Sequence, residues 1–246
     1  MLNAVCPEPV PRPFMDQDWL QLSFLHWPLR RSALARLLPR GLEPHTFDGY
    51  AWVTMVPFLL RVRLPRGPVL PWIGVFPEVN VRTYVVGPGG NPGIWFFSLD
   101  APRRLAIWGA RLTYWLPYRT AVMAVRSDRD VRSYASWRIE GPNRGASMRA
   151  CVEVGTSIEP HDITALEHFL TARWRLYTST PFGLAEARVE HPPWHLHRAA
   201  ASDLDVRLLN ATGLRVAHDV PLVHACDDVH ASLTKLRRCG PASAVA

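Results

Sequence analysis

The sequence predicts a mainly β, α+β protein whose strands fold back on one another as an antiparallel meander. Three observations carry this. The stretch FPEVNVRTYVVGPGGNPGIWFFSLD at 76–100 reads as two long strands across a connection rich in glycine and proline. Asp48-Gly49 separates two further apolar runs, and Asp-Gly is a strong two-residue hairpin signal because both positions accept positive φ. At 246 residues the chain has a length at which a barrel or sandwich runs undivided.

The central hairpin at 76–100 carries the chemistry. Alternation points Val79, Val81, Thr83 and Val85 one way and Glu78, Asn80, Arg82 and Tyr84 the other. If the GPGGNPG loop closes symmetrically, Tyr84 faces Phe96, Arg82 faces Ser98 and Asn80 faces Asp100. The face holding Glu78, Asn80, Arg82, Ser98 and Asp100 then carries two aromatic rings as well. Such a face is either a solvated sheet surface or the floor of a pocket with a polar centre.

Taken in order, residues 1–18 read as a proline-punctuated leader, poorly ordered except near Phe14. WLQLSFLHW at 19–27 is apolar on both sides and predicts a first, buried strand, closed by Pro28. A short helix follows over 30–38, stopped by Pro39 and Gly41. Strands are expected over 42–47 and 50–62, then a proline-rich loop over 65–74. After the hairpin, a short helix over 101–109, a strand over 115–125 and a hairpin of 134–140 with 147–155 are expected. An apolar stripe through Ile163, Leu166, Phe169, Leu170, Trp174 and Tyr177 predicts a helix over 162–178 capped by Asp162. A strand over 184–191, a capped helix over 202–210 and a last strand over 220–225 complete the reading. No repeat or linker divides the chain, so one domain over 19–235 with a tail over 236–246 is expected.

Composition narrows the function classes. Hydrophobic residues at 48% and charged ones at 20% describe a folded globular protein. No run is long and apolar enough for a membrane span, and the N-terminus lacks a basic start and apolar core, so a cytoplasmic protein is expected. Cys6, Cys151, Cys226 and Cys239 show no CxxC spacing, which points to reduced thiols. The net charge of +7 comes from basic residues scattered as pairs, which argues against a nucleic-acid surface. Neither GxSxG, P-loop, GxGxxG nor HExxH occurs, and the hairpin glycines have no following helix to receive phosphate, so no nucleotide is expected. His191, His195 and His197 invite a metal reading, but no matching carboxylate is fixed; no metal and no cofactor are expected. A small-molecule ligand is the expected partner, with a homo-oligomer left open.

Several strings resemble the YqjF-like family of uncharacterised bacterial proteins, within the acetoacetate-decarboxylase-like superfamily. They are FLHWP at 24–28, LLPRGLEPHTFDGYAWVTMVPF at 37–58, FPEVNVRTYV at 76–85, GIWFFSLDA at 93–101, LPY at 116–118, FLTARWRLYT at 169–178 and HPPW at 191–194. The resemblance implies an antiparallel, barrel-like double-sheet fold around a central cavity, with helices outside. It also implies a cavity glutamate at Glu78. The superfamily's decarboxylases form a Schiff base on a lysine in a Gly-x-Pro-Lys-Lys-like string, whose counterpart here is Trp115, Leu116, Pro117, Tyr118 and Arg119. Arginine offers no amine nucleophile, so that activity does not carry over. The expected site has Glu78 and Tyr118 as acid/base groups, with Asn80, Arg82, Tyr84, Phe96, Ser98 and Arg119 binding a keto acid, polyketide-like or aromatic substrate. The alternative is a non-catalytic sensor or carrier of the same ligand.

Overall fold

Three long apolar strands, Tyr50–Arg63, Val75–Val86 and Pro92–Ala101, form a wall with protein on both sides, and the rest of the chain wraps around it. The computed structural model describes residues 4–70, 74–216 and 220–240. Residues 1–3 of the expected leader, 71–73 of the proline-rich loop and 241–246 of the tail lie outside the described residues.

In chain order the elements are β1 (Met15–Leu20), β2 (Ser23–Arg30), α1 (Arg31–Ala35), β3 (Glu43–Pro44), β4 (Tyr50–Arg63), β5 (Val75–Val86) and β6 (Pro92–Ala101). Next come α2 (Arg104–Tyr114), β7 (Tyr118–Asp128), β8 (Val131–Arg138), β9 (Ser147–Ser157), α3 (Ala165–Thr171), β10 (Arg175–Thr180) and β11 (Gly183–Glu190). The chain continues through β12 (Leu196–Asp205), α4 (Arg207–Asn210), β13 (Leu222–Cys226), β14 (Val229–Leu233) and β15 (Arg237–Arg238). The fold is mainly β, as expected.

Hydrogen bonding closes this sheet on itself twice. One circuit of seven strands runs β1-β14-β11-β10-β6-β5-β4 and returns to β1. The other, of nine, runs β4-β5-β6-β7-β8-β9-β12-β13-β2 and returns to β4. The two circuits share β4, β5 and β6, so each face of β5 looks into a different interior. Val79 and Val81 pack with Leu25, Met55, Met148 and Val152 in the larger ring, while Tyr84 packs with Phe58, Leu176 and Val189 in the smaller. The sheet is mixed rather than wholly antiparallel. β6 pairs in parallel with β7 and with β10, which the α2 crossover and the long return through β7–β9 and α3 make possible.

The Asp48-Gly49 hairpin forms as expected, with φ of 48° and 81° and reciprocal hydrogen bonds between Phe47 and Tyr50. The central register differs from the symmetric one. Arg82 lies opposite Phe96 and Tyr84 opposite Ile94, and a bulge at Phe97 then places Ser98 opposite Val81 and Asp100 opposite Val79. The extra residue turns Ser98 and Asp100 away from the polar face, because each bulge shifts the inside/outside alternation by one. Asp100 is instead held in a buried pair by Arg138, at 2.7 and 3.0 Å.

Other departures have local causes. The stretch expected as one strand over 19–27 is two, broken where Gln21 takes a φ of 50°. The leader region supplies β1 from Met15 onwards, and its Cys6 and Val10 are buried. The expected strand over 42–47 pairs with β5 only at Glu43–Pro44. α2 runs five residues past the expected 109, to Tyr114, and Trp115 ends it in a left-handed conformation at φ 52°. The expected helix over 162–178 is only α3. Thr164, not Asp162, caps it, in a reciprocal capping box with Glu167. From Arg175 the chain pairs with β6 and β11, so Tyr177, the last residue of the expected helical stripe, lies on a strand instead. Likewise most of the expected helix over 202–210 belongs to β12 or its end, leaving only α4 helical. Arg237 and Arg238 of the expected tail pair with β11.

Gly93 sits where β6 meets β10: a Cβ there would lie 2.7 Å from the Tyr177 ring and 2.8 Å from the Arg175 carbonyl. Gly93→Ala is therefore expected to destabilise the protein by about 1–3 kcal/mol. Gly109, inside α2 with nothing within 4 Å of its Cβ position, serves as the control, and Gly109→Ala should stabilise by about 0.5–1 kcal/mol. Urea denaturation of both variants checks the pair.

Candidate active site

The smaller ring encloses a cavity of about 80 Å³ lined from all seven of its strands. Its polar centre comes from β5. Because β5 faces this ring with every second residue, Glu78, Asn80 and Arg82 line the cavity together, and all three are buried. The polar face of the hairpin is thus an interior one, not a solvated surface.

Glu78 is 3% exposed, and burial raises its carboxyl pKa to about 7 against the opposing effect of two hydrogen bonds, from Tyr118 and Asn80. The Tyr118 hydroxyl donates to Glu78 Oε2 at 2.7 Å. Burial and the neighbouring carboxylate push the Tyr118 pKa well above its ordinary value, so the phenol keeps its proton and acts as a fixed donor. Tyr118 reaches this position because Trp115 stops α2 and Leu116-Pro117 leads directly into β7 beside β6.

No hydrogen bond or ion pair joins Glu78 to Arg82 among the described residues. Arg82 is hydrogen-bonded to Tyr84, lies 5.3 Å from the Phe24 ring centre, and leaves Nε and Nη2 without a protein partner. Burial lowers its pKa, yet a guanidinium stays charged at neutral pH. A second buried arginine lines the cavity. Arg173 donates to His45 Nδ1 at 2.9 Å and packs over the rings of Tyr84 and Phe169 at 4.7 and 4.4 Å. Its pKa is lowered to about 9, by burial and by the charge of Arg82. Glu78 is the single carboxylate among the described residues that line the cavity.

Phe96 also lines the cavity. Three other expected site residues do not. Tyr84 lies behind the arginines, in a chain whose donor order follows from its end: the Leu170 carbonyl can only accept, so Tyr84 donates to it at 2.7 Å. Thr54 then donates to Tyr84 at 2.6 Å and His26 Nδ1 donates to Thr54 at 2.8 Å. Ser98 is turned into the other ring by the Phe97 bulge. Arg119 is half-buried outside the cavity, donating to the Tyr118 carbonyl at 3.3 Å.

Sequence reasoning did not single out Arg173, and weighed His191 only as a metal ligand. Arg173 falls inside the run read as a helix and is not part of its apolar stripe; α3 ends at Thr171, and Arg173 lines the cavity. His191 lines the cavity among Trp19, Trp174 and Trp194, at ring distances of 5.6, 4.4 and 4.6 Å. Its Nδ1 donates to the Pro192 carbonyl at 2.7 Å and burial lowers its pKa to about 4, which leaves Nε2 as an unprotonated acceptor at neutral pH. His197 pairs with Asp227 at 2.9 Å, apart from His191, and no trio of metal-ligating side chains is found among the described residues.

The family model DUF2071, an uncharacterized conserved protein, matches residues 16–230. The uncharacterized protein YqjF of Bacillus subtilis (strain 168) is 38% identical over 211 residues, which cover 85% of this chain and 86% of that one. Among solved structures, the enduracididine biosynthesis enzyme MppR complexed with pyruvate superposes with a TM-score of 0.60 at 15% identity, over 93% of this chain and 91% of that one. An acetoacetate decarboxylase-like enzyme from Sphingomonas wittichii RW1 gives 0.60 at 12% identity, over 92% and 94%. At these identities the two structures establish a shared fold.

The buried carboxyl has a consequence for stability. Between its ordinary range and about pH 7 the folded protein holds a proton on Glu78 that the unfolded chain has released, so this group lowers stability as pH rises through that window. Glu78→Gln removes the penalty. Its unfolding free energy relative to the parent, from urea denaturation, is expected to be higher at pH 8 than at pH 5, by a difference on the order of 3 kcal/mol at most. A constant offset across this range would show that Glu78 ionises as freely in the folded state as in the unfolded one.

Proposed function

The chain belongs to the DUF2071 family, and we propose that it is an acid/base enzyme acting on a small 2-oxo or 3-oxo carboxylic acid within the smaller ring. The observation that carries this reading is the free edge of Arg82. Nε and Nη2 are the two parallel donors that hold a carboxylate side-on, and in this protein Arg138 uses that same edge to hold Asp100. A buried guanidinium edge with no protein acceptor is costly in the empty protein and is satisfied by an acidic ligand. The pyruvate in the MppR complex, a 2-oxo acid in a chain of the same fold, supports this ligand class.

The reaction follows from the remaining groups. A carboxyl titrating near neutrality is suited to take a proton and return it. Glu78, held by Tyr118, removes a proton from the carbon beside the substrate carbonyl. The C–H electrons move to the carbonyl oxygen as an enolate, whose charge Arg173 and Arg82 offset, and protonation at carbon by Glu78 restores the enzyme. Isomerisation, cyclisation and lyase chemistry all pass through such an enolate. A Schiff base plays no part in this scheme. Lys235 is the sole lysine of the sequence and is exposed, its Nζ 5.3 Å from the Phe14 ring centre.

Exchange of the pyruvate methyl protons in deuterated buffer, followed by NMR, tests the assignment. The exchange rate is expected to rise with pH and level off above about 7, because the deprotonated carboxylate is the base. Glu78→Gln should remove the enzymatic rate, and Arg82→Leu should weaken pyruvate binding more than about tenfold. Pyruvate binding with no exchange above the Glu78→Gln level would instead identify a carrier or sensor. Borohydride added with pyruvate should leave the protein mass unchanged; an adduct on Lys235 that tracks with exchange would overturn the Schiff-base-free scheme.

A further inference from the structure

A second cavity of about 280 Å³ adjoins the first, between α2 and the β1, β4 and β14 strands. The two share Gln17, Leu116, Tyr118 and Leu233, so these four side chains are the partition, and the Tyr118 ring that holds Glu78 is one of its panels. The chambers differ in chemistry. The inner one presents unpartnered polar atoms on Arg82 and Asn80. In the outer one every polar side chain among the described residues that line it already has a partner. Gln17 accepts from Trp19 Nε1 at 2.9 Å, Arg63 donates to Asp18 at 2.7 Å, Thr113 to the Gly109 carbonyl at 2.7 Å and Tyr114 to the Thr234 carbonyl at 3.0 Å. What remains is an apolar surface made by Phe14, Leu60, Val62, Phe76, Leu116 and Leu233. At its rim Phe14 and Leu64 are exposed, at 37% and 50%.

We infer that the outer chamber is a binding site for an apolar arm on the substrate, so the ligand is an oxo acid bearing an alkyl or aryl chain rather than pyruvate itself. This rests on the reading of the inner cavity as the site of the acidic head. The inner chamber, at about 80 Å³, has room for a head group of a few heavy atoms and no more. The larger, apolar, polar-satisfied space next to it offers a hydrocarbon chain burial without leaving any donor or acceptor unpaired. A chain attached at the far end of the head from the carboxylate passes Tyr118 and Leu116 on its way outward, which places the reacting carbon beside Glu78.

Calorimetric titration with two matched series tests the inference: 2-oxo acids from pyruvate through 2-oxohexanoate to 2-oxooctanoate, and the methyl ketones of the same lengths. Affinity is expected to rise about three- to fourfold for each added methylene in both series until the chamber is full. Ala110→Phe on α2 and Leu64→Trp at the rim each fill the chamber and should flatten the increment, with pyruvate affinity retained as the sign of an intact inner site. An affinity independent of length, or an increment that survives both filling variants, overturns the outer chamber as the site of the arm. The acidic head is judged separately. If ketones show the increment but acids bind no better than ketones, and Arg82→Leu changes neither, the carboxylate reading falls while the apolar arm stands.

Discussion

A strand with protein on both sides has no face to spare for water, and β5 is such a strand. It belongs to two closed rings at once, so each of its side chains must suit one interior or the other. Val79 and Val81 meet the larger, apolar core without cost. On the opposite side Glu78, Asn80 and Arg82 are forced out of water into the smaller ring, and the arrangement around them answers that desolvation. Tyr118 and Asn80 hydrogen-bond Glu78, Tyr84 bonds Arg82, and the His26–Thr54–Tyr84 chain fixes Tyr84 in turn. The buried, polar character of the cavity is a product of this topology, since the same three side chains on a one-sided sheet would be solvated.

Charge balance inside the small ring is deliberately incomplete. Two buried arginines face one carboxyl whose own burial favours the protonated form. Elsewhere in the molecule buried arginines are matched: Arg138 by Asp100 and Arg175 by Glu186, at 2.7 and 2.6 Å. The contrast sets Arg82, with Nε and Nη2 unpaired, apart from these structural ion pairs, and the proposed anion site rests on it. The string from 115 to 119, which resembles the lysine-bearing string of the superfamily's decarboxylases, holds a phenol here. That phenol hydrogen-bonds the Glu78 carboxyl, and the proposed chemistry is accordingly proton transfer rather than amine condensation.

Much of this was legible before any coordinates. Alternation alone put Glu78, Asn80 and Arg82 on one face of one strand, because the period of a strand is a covalent property. Asp48-Gly49 declared its hairpin for the same reason: its φ values are available to those residues and costly for most others. The pairing of Glu78 with Tyr118 rested on a family resemblance that no local rule could replace, as the two lie forty residues apart. A central cavity was implied by the same resemblance, but that Arg173 and His191 stand in its wall was not legible.

The failures share a cause. Over a few residues a helical stripe and a strand alternation mark many of the same positions, and the expected helix gave way past Thr171, where pairing of 175–180 with β6 and β11 made a strand. The register of the central hairpin depended on a bulge at Phe97 that no residue type announces, and that one residue sent Ser98 and Asp100 to the far ring. By itself the sequence determined which side chains travel together, since neighbours along a strand or turn obey short-range sterics. Only the tertiary structure decided what those side chains face, because facing is set by pairings between distant segments and by the double closure that removes water from both sides of β5.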